Sequence, residues 1–183
     1  DPGADRARAE AAVGELLAAL GQDPDGEHLI DTPRRVVDGL IELLTPEPFA
    51  LTTFANDGGY SELVLVRDIP FTSLCEHHML PFRGIAHVGY VPSERIVGLS
   101  KLARVVDWFA RGLQVQERLT AQIADHLERH LDPLGVGVAL EAEHMCMSIR
   151  GVRAGGATTV TSAFRGDIAR DPALRVQFSS GAR

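Results

Sequence analysis

Lysine is nearly absent from this chain. Seventeen of its eighteen basic residues are arginine, and Lys101 is the single exception. A chain so rich in arginine can retain one lysine by chance. Alternatively, this position requires the compact ammonium group of lysine rather than the planar guanidinium of arginine. Composition alone supports both interpretations of Lys101 equally.

Cysteine is also scarce, with only Cys75 and Cys146 in the whole sequence. A lone disulfide between them is the simplest interpretation. No secretory signal pattern is evident, and no apolar run is long enough to cross a bilayer. We therefore expect a cytoplasmic protein that does not enter a membrane. In that reducing compartment, paired thiols more often bind a metal or take part in chemistry.

The chain also has fewer basic residues (18) than acidic residues (25). The formal net charge is -7 at pH 7, which argues against a general nucleic-acid-binding surface, so any anion site must be local. Hydrophobic residues make up 45% of the chain and charged residues 23%, a balance typical of a globular protein rather than a disordered one. The 183 residues suffice for one domain of ordinary size with its own core.

The apolar periodicity and the turn signals predict an α+β fold. The order of helices, strands, a helix pair and more strands indicates a mainly antiparallel sheet with helices on one face. The predicted elements are helices over residues 4–20 and 31–45, strands over 63–69 and 84–91, helices opening at Ser100 and at Val115, strands over 135–150 and 158–164, and a short final helix over 171–178.

Two short clusters each pair a cysteine with a histidine. Cys75 and His78 stand in a C-x-x-H arrangement, the spacing at which one tight loop presents a thiolate and an imidazole to a single metal ion. Further along, His144 and Cys146 are two residues apart, so on the predicted strand they point to the same face. These clusters predict one composite metal site that forms on folding, with Cys75, His78 and Cys146 as ligands.

The number of ligands decides what such a site does. Three protein ligands and a water are typical of a catalytic zinc, whereas a structural zinc site normally has four protein ligands. His77 and His144 lie beside the predicted ligands. Either one, as a fourth ligand, would make the site structural. Alternatively, they act as general acid and base beside the bound water.

A second candidate site lies at the predicted helix start near residue 100. Ser100 is the predicted N-cap, and Lys101 and Arg104 share one face of the first turn. The free N–H groups and the positive end of the helix dipole favour a bound phosphate there. Cations at this end of a helix destabilise it unless a bound anion compensates their charge. The alternative is a solvated basic patch. Arg34 and Arg35, in the first turn of the second predicted helix, allow the same two interpretations.

Five runs of the sequence carry a resemblance to a known family. They are SLCEHH from Ser73, VGLSKL from Val97, QVQERLT from Gln114, EHMCMSIRGV from Glu143 and TTVTSAF from Thr158. In sequence and in order they resemble the motifs of GTP cyclohydrolase I, and the resemblance covers most of the chain. It implies hydrolysis of GTP to 7,8-dihydroneopterin triphosphate and formate, with zinc as the cofactor, as the first step of pterin and tetrahydrofolate biosynthesis.

The resemblance also implies a role for each matching residue. The zinc ligands would be Cys75, His78 and Cys146, and the catalytic histidines His77 and His144. Gln116 and Glu117 would bind the guanine, although from the sequence alone Glu117 also fits as an acid favoured by the helix dipole at a helix start. The triphosphate contacts would be Ser100, Lys101, Arg104, Arg150 and Arg35.

The fold implied by the resemblance is the tunnelling fold, a four-stranded antiparallel sheet with a helix pair on one face. On this basis we divide the chain into an N-terminal helical region, residues 1–48, and a catalytic domain, residues 49–183. The family further implies a homodecamer of two stacked pentamers, with active sites between subunits.

Two other functions remain compatible with parts of the pattern. Another enzyme of the same fold, such as a pterin synthase or a nitrile reductase, would need a different nucleophile or metal pattern. A non-enzymatic nucleotide-binding scaffold stabilised by zinc would retain Lys101, Arg104 and Glu117 but lack an open metal position. Turnover of GTP to a pterin and formate would separate all three functions.

Overall fold

The computed structural model describes residue 3 and residues 5–182. The chain divides into two compact units, Asp1–Pro46 and Glu47–Arg183. Among the described residues, no helix has both the length and the apolar character that crossing a membrane requires.

The first unit consists of two helices, α1 (Arg6–Ala19) and α2 (Thr32–Leu44). Asp5 caps α1, since its carboxylate accepts a hydrogen bond from the backbone N–H of Arg8. Asp38 of α2 pairs with Arg6 at 2.5 Å and with Arg34 at 3.3 Å. Both predicted helices are confirmed, except that residue 4, where the first was expected to begin, lies outside the described residues.

The second unit is built on β-strands. They are β1 (Thr53–Ala55), β2 (Val64–Cys75), β3 (Pro81–Val91), β4 (Arg95–Val97), β5 (Leu113–Gln114), β6 (Gly135–His144) and β7 (Thr159–Arg165). The main sheet has the strand order β5-β2-β3-β6-β7. Its four long strands pair antiparallel, and β5 adds a short parallel contact beside the end of β2. A separate ribbon pairs β1 with β4.

A helix pair covers one face of this sheet. The pair comprises α3 (Leu99–Ala110) and α4 (Gln116–Leu131). Alternate residues of β6 point towards it and pack with the apolar stripe of α4, because side chains alternate between faces along a strand. The buried residues that form this contact are Val136, Val138, Leu140, Leu119, Ile123 and Leu127. The predicted α+β tunnelling fold, with its helix pair on one face, is confirmed.

The opposite face carries a smaller core under the C-terminal helices α6 (Gly166–Arg170) and α7 (Pro172–Gly181). Phe178 of α7 is buried there, above two glycines of the sheet, Gly89 in β3 and Gly137 in β6. A Cβ atom added to Gly137 would lie 2.8 Å from the ring of Phe178, and one added to Gly89 would lie 3.2 Å from it. These two glycines therefore let α7 approach the sheet.

The predicted strand over residues 63–69 was expected to end at Pro70, and this end is wrong, because β2 continues to Cys75. Pro70 is paired with Ile85 of β3, and on its other side β2 is flanked only from Leu74 onwards. A proline is tolerated at an open edge because its missing N–H group would have no partner there. The extension carries β2 directly to Cys75.

The predicted strand over residues 135–150 is also wrong in its second half. β6 ends at His144, and Met145–Ser148 forms a single helical turn, α5. The Ser148 hydroxyl donates to the His144 carbonyl at 3.2 Å and closes this turn. His144 and Cys146 therefore do not alternate along one strand as expected. Similarly, α3 begins at Leu99 after Gly98, so Ser100 lies inside the first turn and is not its N-cap.

Replacing Phe178 by alanine should destabilise the protein by about 3–5 kcal/mol, because it removes a buried ring that fills the space above two glycines. Val176 lies on the same helix with 64% of its surface exposed, so Val176→Ala is the matched control and should change stability by no more than about 0.5 kcal/mol. Urea unfolding monitored by circular dichroism measures both. Equal losses would mean that α7 does not pack through Phe178.

Candidate metal and nucleotide site

Three side chains from two distant parts of the chain meet at one end of the sheet. Cys75 is the last residue of β2, His78 follows in the next turn, and Cys146 lies in α5. Their ligand atoms all lie within 4.8 Å of one another. The turn is tight because the backbone N–H groups of His78 and Met79 both donate to the Cys75 carbonyl, at 3.3 and 2.8 Å.

This donor set fits a metal ion. A tetrahedral zinc ion, with Zn–S distances of about 2.3 Å and Zn–N distances of about 2.0 Å, holds its donor atoms roughly 3.5–3.8 Å apart. The distance from Cys75 Sγ to His78 Nδ1 is 3.8 Å. Two thiols and an imidazole are also the donor types that zinc prefers. Within residue 3 and residues 5–182, this is the one group of three such donors close enough to share an ion.

Burial raises the pKa of the Cys146 thiol, and the neighbouring Cys75 raises it further, whereas Arg150 opposes the shift. In this pocket the Cys146 thiol therefore resists losing its proton in the absence of a cation. A bound metal reverses that preference, because it coordinates thiolates and releases the protons. Both cysteines are free in the structure, so the simplest interpretation of the sequence, a disulfide between them, is not what the structure contains.

Two further histidines, His77 and His144, lie near the cluster. His77 is exposed, with its Nδ1 atom 3.9 Å from Cys75 Sγ. His144 is half-buried and stacks on the ring of Phe82, with centroids 4.6 Å apart and ring planes 2° from parallel. Burial lowers the pKa of His144, and the Glu117 carboxylate partly offsets this shift. Neither histidine belongs to the group whose donor atoms all lie within 4.8 Å.

Gln116, the first residue of α4, has 1% of its surface exposed and contacts His144 directly. Its Oε1 atom lies 2.7 Å from Nε2 of His144. The two hydrogens of its Nε2 group are shared among three acceptors, the Leu140 carbonyl at 3.2 Å, the Thr159 carbonyl at 2.9 Å and the Thr161 hydroxyl at 3.1 Å. The side-chain amide is therefore committed to protein partners.

Glu117 follows Gln116 in the first turn of α4, and it is exposed. It borders a cavity of about 210 Å³ together with the metal cluster. The cavity is lined by Cys75, His77, His78, Gln114, Val115, Gln116, Glu117, His144, Cys146, Met147 and Thr159. An exposed carboxylate thus faces the same space as the three candidate metal ligands and both further histidines.

The basic residues predicted to bind phosphate lie on separate elements. Ser100, Lys101 and Arg104 all fall within the first six residues of α3, with Lys101 half-buried and the other two exposed. Arg150 is exposed just after α5, near enough to Cys146 to influence its pKa. Arg35 belongs to the first unit, where it pairs with Asp31 at 2.8 Å.

Two residues that the sequence analysis did not single out hold the metal-binding turn in place. The Arg118 guanidinium donates to the Glu76 carboxylate at 2.5 Å and to the Leu113 carbonyl at 2.8 Å. The other oxygen of Glu76 lies 3.9 Å from Nε2 of His77. Arg118 thereby joins α4 to the turn. Glu76 lies in the motif SLCEHH and Arg118 in the motif QVQERLT. Their place inside these motifs is the one sequence feature that could have indicated a role at the site.

The chain is similar to several known proteins. A solved structure of the apo form of the archaeosine synthase QueF-Like is similar at a TM-score of 0.47 and 18% identity, over 57% of this chain and 93% of that chain. The chain is 55% identical over 181 residues to GTP cyclohydrolase 1 of Mycolicibacterium gilvum, covering 96% of this chain and 90% of that protein. It is 56% identical over 183 residues to GTP cyclohydrolase 1 of Streptomyces griseus, with the same coverage.

The family model described as GTP cyclohydrolase I matches residues 9–183. This range includes the metal-binding cluster, both flanking histidines and the start of α4. Because the match spans nearly the whole chain and relatives of that name are more than half identical to it, this chain belongs to the GTP cyclohydrolase I family of enzymes.

Proposed function

We propose that this protein hydrolyses GTP to 7,8-dihydroneopterin triphosphate and formate in a zinc-dependent reaction. One observation carries the proposal: the Cys75–His78–Cys146 cluster and the Glu117 carboxylate border the same cavity. A candidate metal site is thereby adjacent to a carboxylate that can accept two hydrogen bonds from guanine. Membership of the GTP cyclohydrolase I family supports the same substrate.

Cys75, His78 and Cys146 are the proposed zinc ligands. Bound there, zinc would supply Lewis acidity and so make hydroxide available at neutral pH for attack on C8 of the guanine. His77 and His144 lie beside this cluster without belonging to it. We assign them general acid and base roles, moving protons as the imidazole ring opens and formate leaves.

Glu117 is the proposed reader of the base. Guanine presents two adjacent donors, N1–H and the 2-amino group, and an ionised carboxylate accepts from both at once. Gln116 is proposed to assist. Since its side-chain amide is occupied, its contribution would come from its backbone N–H, one of the first-turn groups that have no acceptor within the helix.

The triphosphate is proposed to bind at the start of α3. Free N–H groups, the positive end of the helix dipole, the Ser100 hydroxyl, the Lys101 ammonium and the Arg104 guanidinium all favour an anion there. Arg150, next to the metal cluster, would supply a further contact, and Arg35 is proposed as another. On this assignment the single lysine of the chain is retained for function.

The complete site is proposed to form between subunits of a homodecamer built from two pentamers. The cavity of about 210 Å³ is smaller than the roughly 300–1,000 Å³ of typical ligand sites, which suits a site completed by a second copy. Strand β7 lies at the end of the strand order and exposes 66% of Val160. An open edge of this kind is suited to pairing with another strand.

The product would supply the pterin ring for tetrahydrofolate biosynthesis, with residues 49–183 as the catalytic part of the chain. A reducing cytoplasm is the proposed location, because both ligand cysteines must remain as thiols to bind the metal.

The purified protein should contain about one zinc ion per chain. Both Cys146→Ser and His78→Ala should lose the metal and the activity, because each removes one of three ligands. His28 is exposed and lies in the first unit, so His28→Ala is the matched control and should retain both. Metal analysis and circular dichroism measure occupancy and folding. Full zinc occupancy in Cys146→Ser would remove Cys146 from the ligand set.

Lys101→Ala and Arg104→Ala should each raise the KM for GTP by roughly 10- to 150-fold, the equivalent of a charge-assisted hydrogen bond of about 1.5–3 kcal/mol. Stability should hold or rise slightly, since a cation leaves the positive end of a helix dipole. Arg129→Ala, in the last turn of α4, removes the same charge elsewhere and should leave the KM unchanged. Parent-like KM values in both α3 variants would place the triphosphate at another site.

Glu117→Gln should lower the affinity for GTP and narrow its preference for GTP over ITP, which lacks only the 2-amino group. In the parent protein ITP should be poorer by about 1.5–3 kcal/mol, and ATP should not be processed, because adenine would leave the carboxylate unpaired. Values of kcat/KM for GTP and ITP provide the test. Glu128→Gln, an exposed change on the same helix, should alter neither. An unchanged ratio in Glu117→Gln would mean that other groups read the base.

A further inference from the structure

Gln116 lies at the centre of a closed hydrogen-bond network between α4 and strands β6 and β7. The backbone carbonyls of Leu140 and Thr159, which accept from its amide nitrogen, cannot donate a hydrogen bond. If the amide were turned over, its oxygen would face two carbonyl oxygens. Only one orientation of this buried side chain is therefore compatible with its surroundings.

The hydroxyl groups of Thr120 and Thr161 complete the network, and their donor directions require the same orientation of the Gln116 amide. The Thr120 hydroxyl donates to the Gln116 backbone carbonyl at 2.7 Å. Its single hydrogen is thereby used, so in the 2.7 Å contact between the hydroxyls of Thr120 and Thr161 the donor must be Thr161. The Thr161 oxygen is then free to accept from the Gln116 amide at 3.1 Å. Every donor direction agrees with the amide orientation that the two carbonyls require.

This orientation determines where His144 carries its proton. The Gln116 Oε1 atom, 2.7 Å from Nε2 of His144, can only accept a hydrogen bond. Nε2 must therefore be an N–H group, both in the neutral ring and in the charged one. In the neutral ring the lone pair then resides on Nδ1. Stacking on the buried ring of Phe82 restrains the same imidazole from its face.

We infer that Gln116 is a positioning residue that fixes the tautomer and the orientation of His144, so that His144 exchanges protons with the substrate through Nδ1 alone. The inference rests on the proposed function, in which His144 is an acid–base group. It gives the side chain of Gln116 a role other than guanine binding, because a positioning residue affects turnover while a guanine contact affects substrate affinity and base choice.

The kinetic test is Gln116→Met, which keeps the length of the side chain and removes all its hydrogen bonds. We expect kcat to fall about 10- to 100-fold, the usual effect of removing a partner that orients a functional histidine. The KM, the GTP-to-ITP ratio and the zinc content should stay at parent values. Gln122→Met is the matched control on the same helix, because Gln122 bonds to Gln114 and not to His144, and its kcat should be unchanged.

A raised KM or an altered GTP-to-ITP ratio in Gln116→Met would show that Gln116 reads the guanine, and would overturn the inference. Parent-like kinetics would overturn it too, as would loss of zinc from a folded variant, since the amide would then support the metal site. Absence of GTP turnover by the parent protein would contradict the proposed function instead, and the position of the His144 proton would remain measurable.

A second measurement does not depend on how the variant folds. Solid-state nitrogen-15 NMR of the zinc-loaded parent protein, labelled at histidine, distinguishes the two neutral tautomers, and a His144→Ala sample identifies the signal. The pH should be about 8.5, well above the ordinary histidine pKa of about 6.5. A neutral ring protonated at Nε2 supports the inference, and one protonated at Nδ1 overturns it.

Discussion

The register of β3 against its two neighbours is the constraint on which the site depends. Leu74 of β2 pairs with Pro81 of β3, and Phe82 of β3 pairs with His144 of β6. Two cysteines that stand 71 positions apart (146 minus 75) are thereby brought to the same end of the sheet. A shift of one residue in either pairing would turn the side chains to the opposite face and separate the three candidate ligands.

The fold class could be predicted from local patterns in the sequence, and the members of the candidate metal cluster from two Cys–His spacings together with the family resemblance. Alternation marks the strands, and the C-x-x-H spacing marks the turn. The helical turn that contains Cys146 was not predictable in this way, since the apolar residues Met145, Met147 and Ile149 alternate as they would on a strand. Tertiary context decides between the two conformations, and single-sequence patterns do not contain it.

Long-range contacts set the other limit on prediction. No pattern in the sequence indicates that Gln116 is buried or that its amide reaches β7, because the partners are 24 to 45 residues away. The same applies to the pair formed by Glu76 and Arg118. Motifs show which residues occur together in the sequence. The hydrogen-bond network shows which side chain restrains another, as Gln116 restrains His144. For Gln116 that distinction separates a contact with substrate from a contact with another functional side chain.

The half-buried position of Lys101 in the first turn of α3 has a practical consequence. Because the chain has no other lysine, a reagent directed at primary amines has a single side-chain target, apart from any α-amino group. Acylation or reductive methylation would therefore label one chemically unique position in a protein otherwise rich in arginine. Protection of that position by inorganic triphosphate would make covalent labelling, followed by mass spectrometry, a footprint of this helix start.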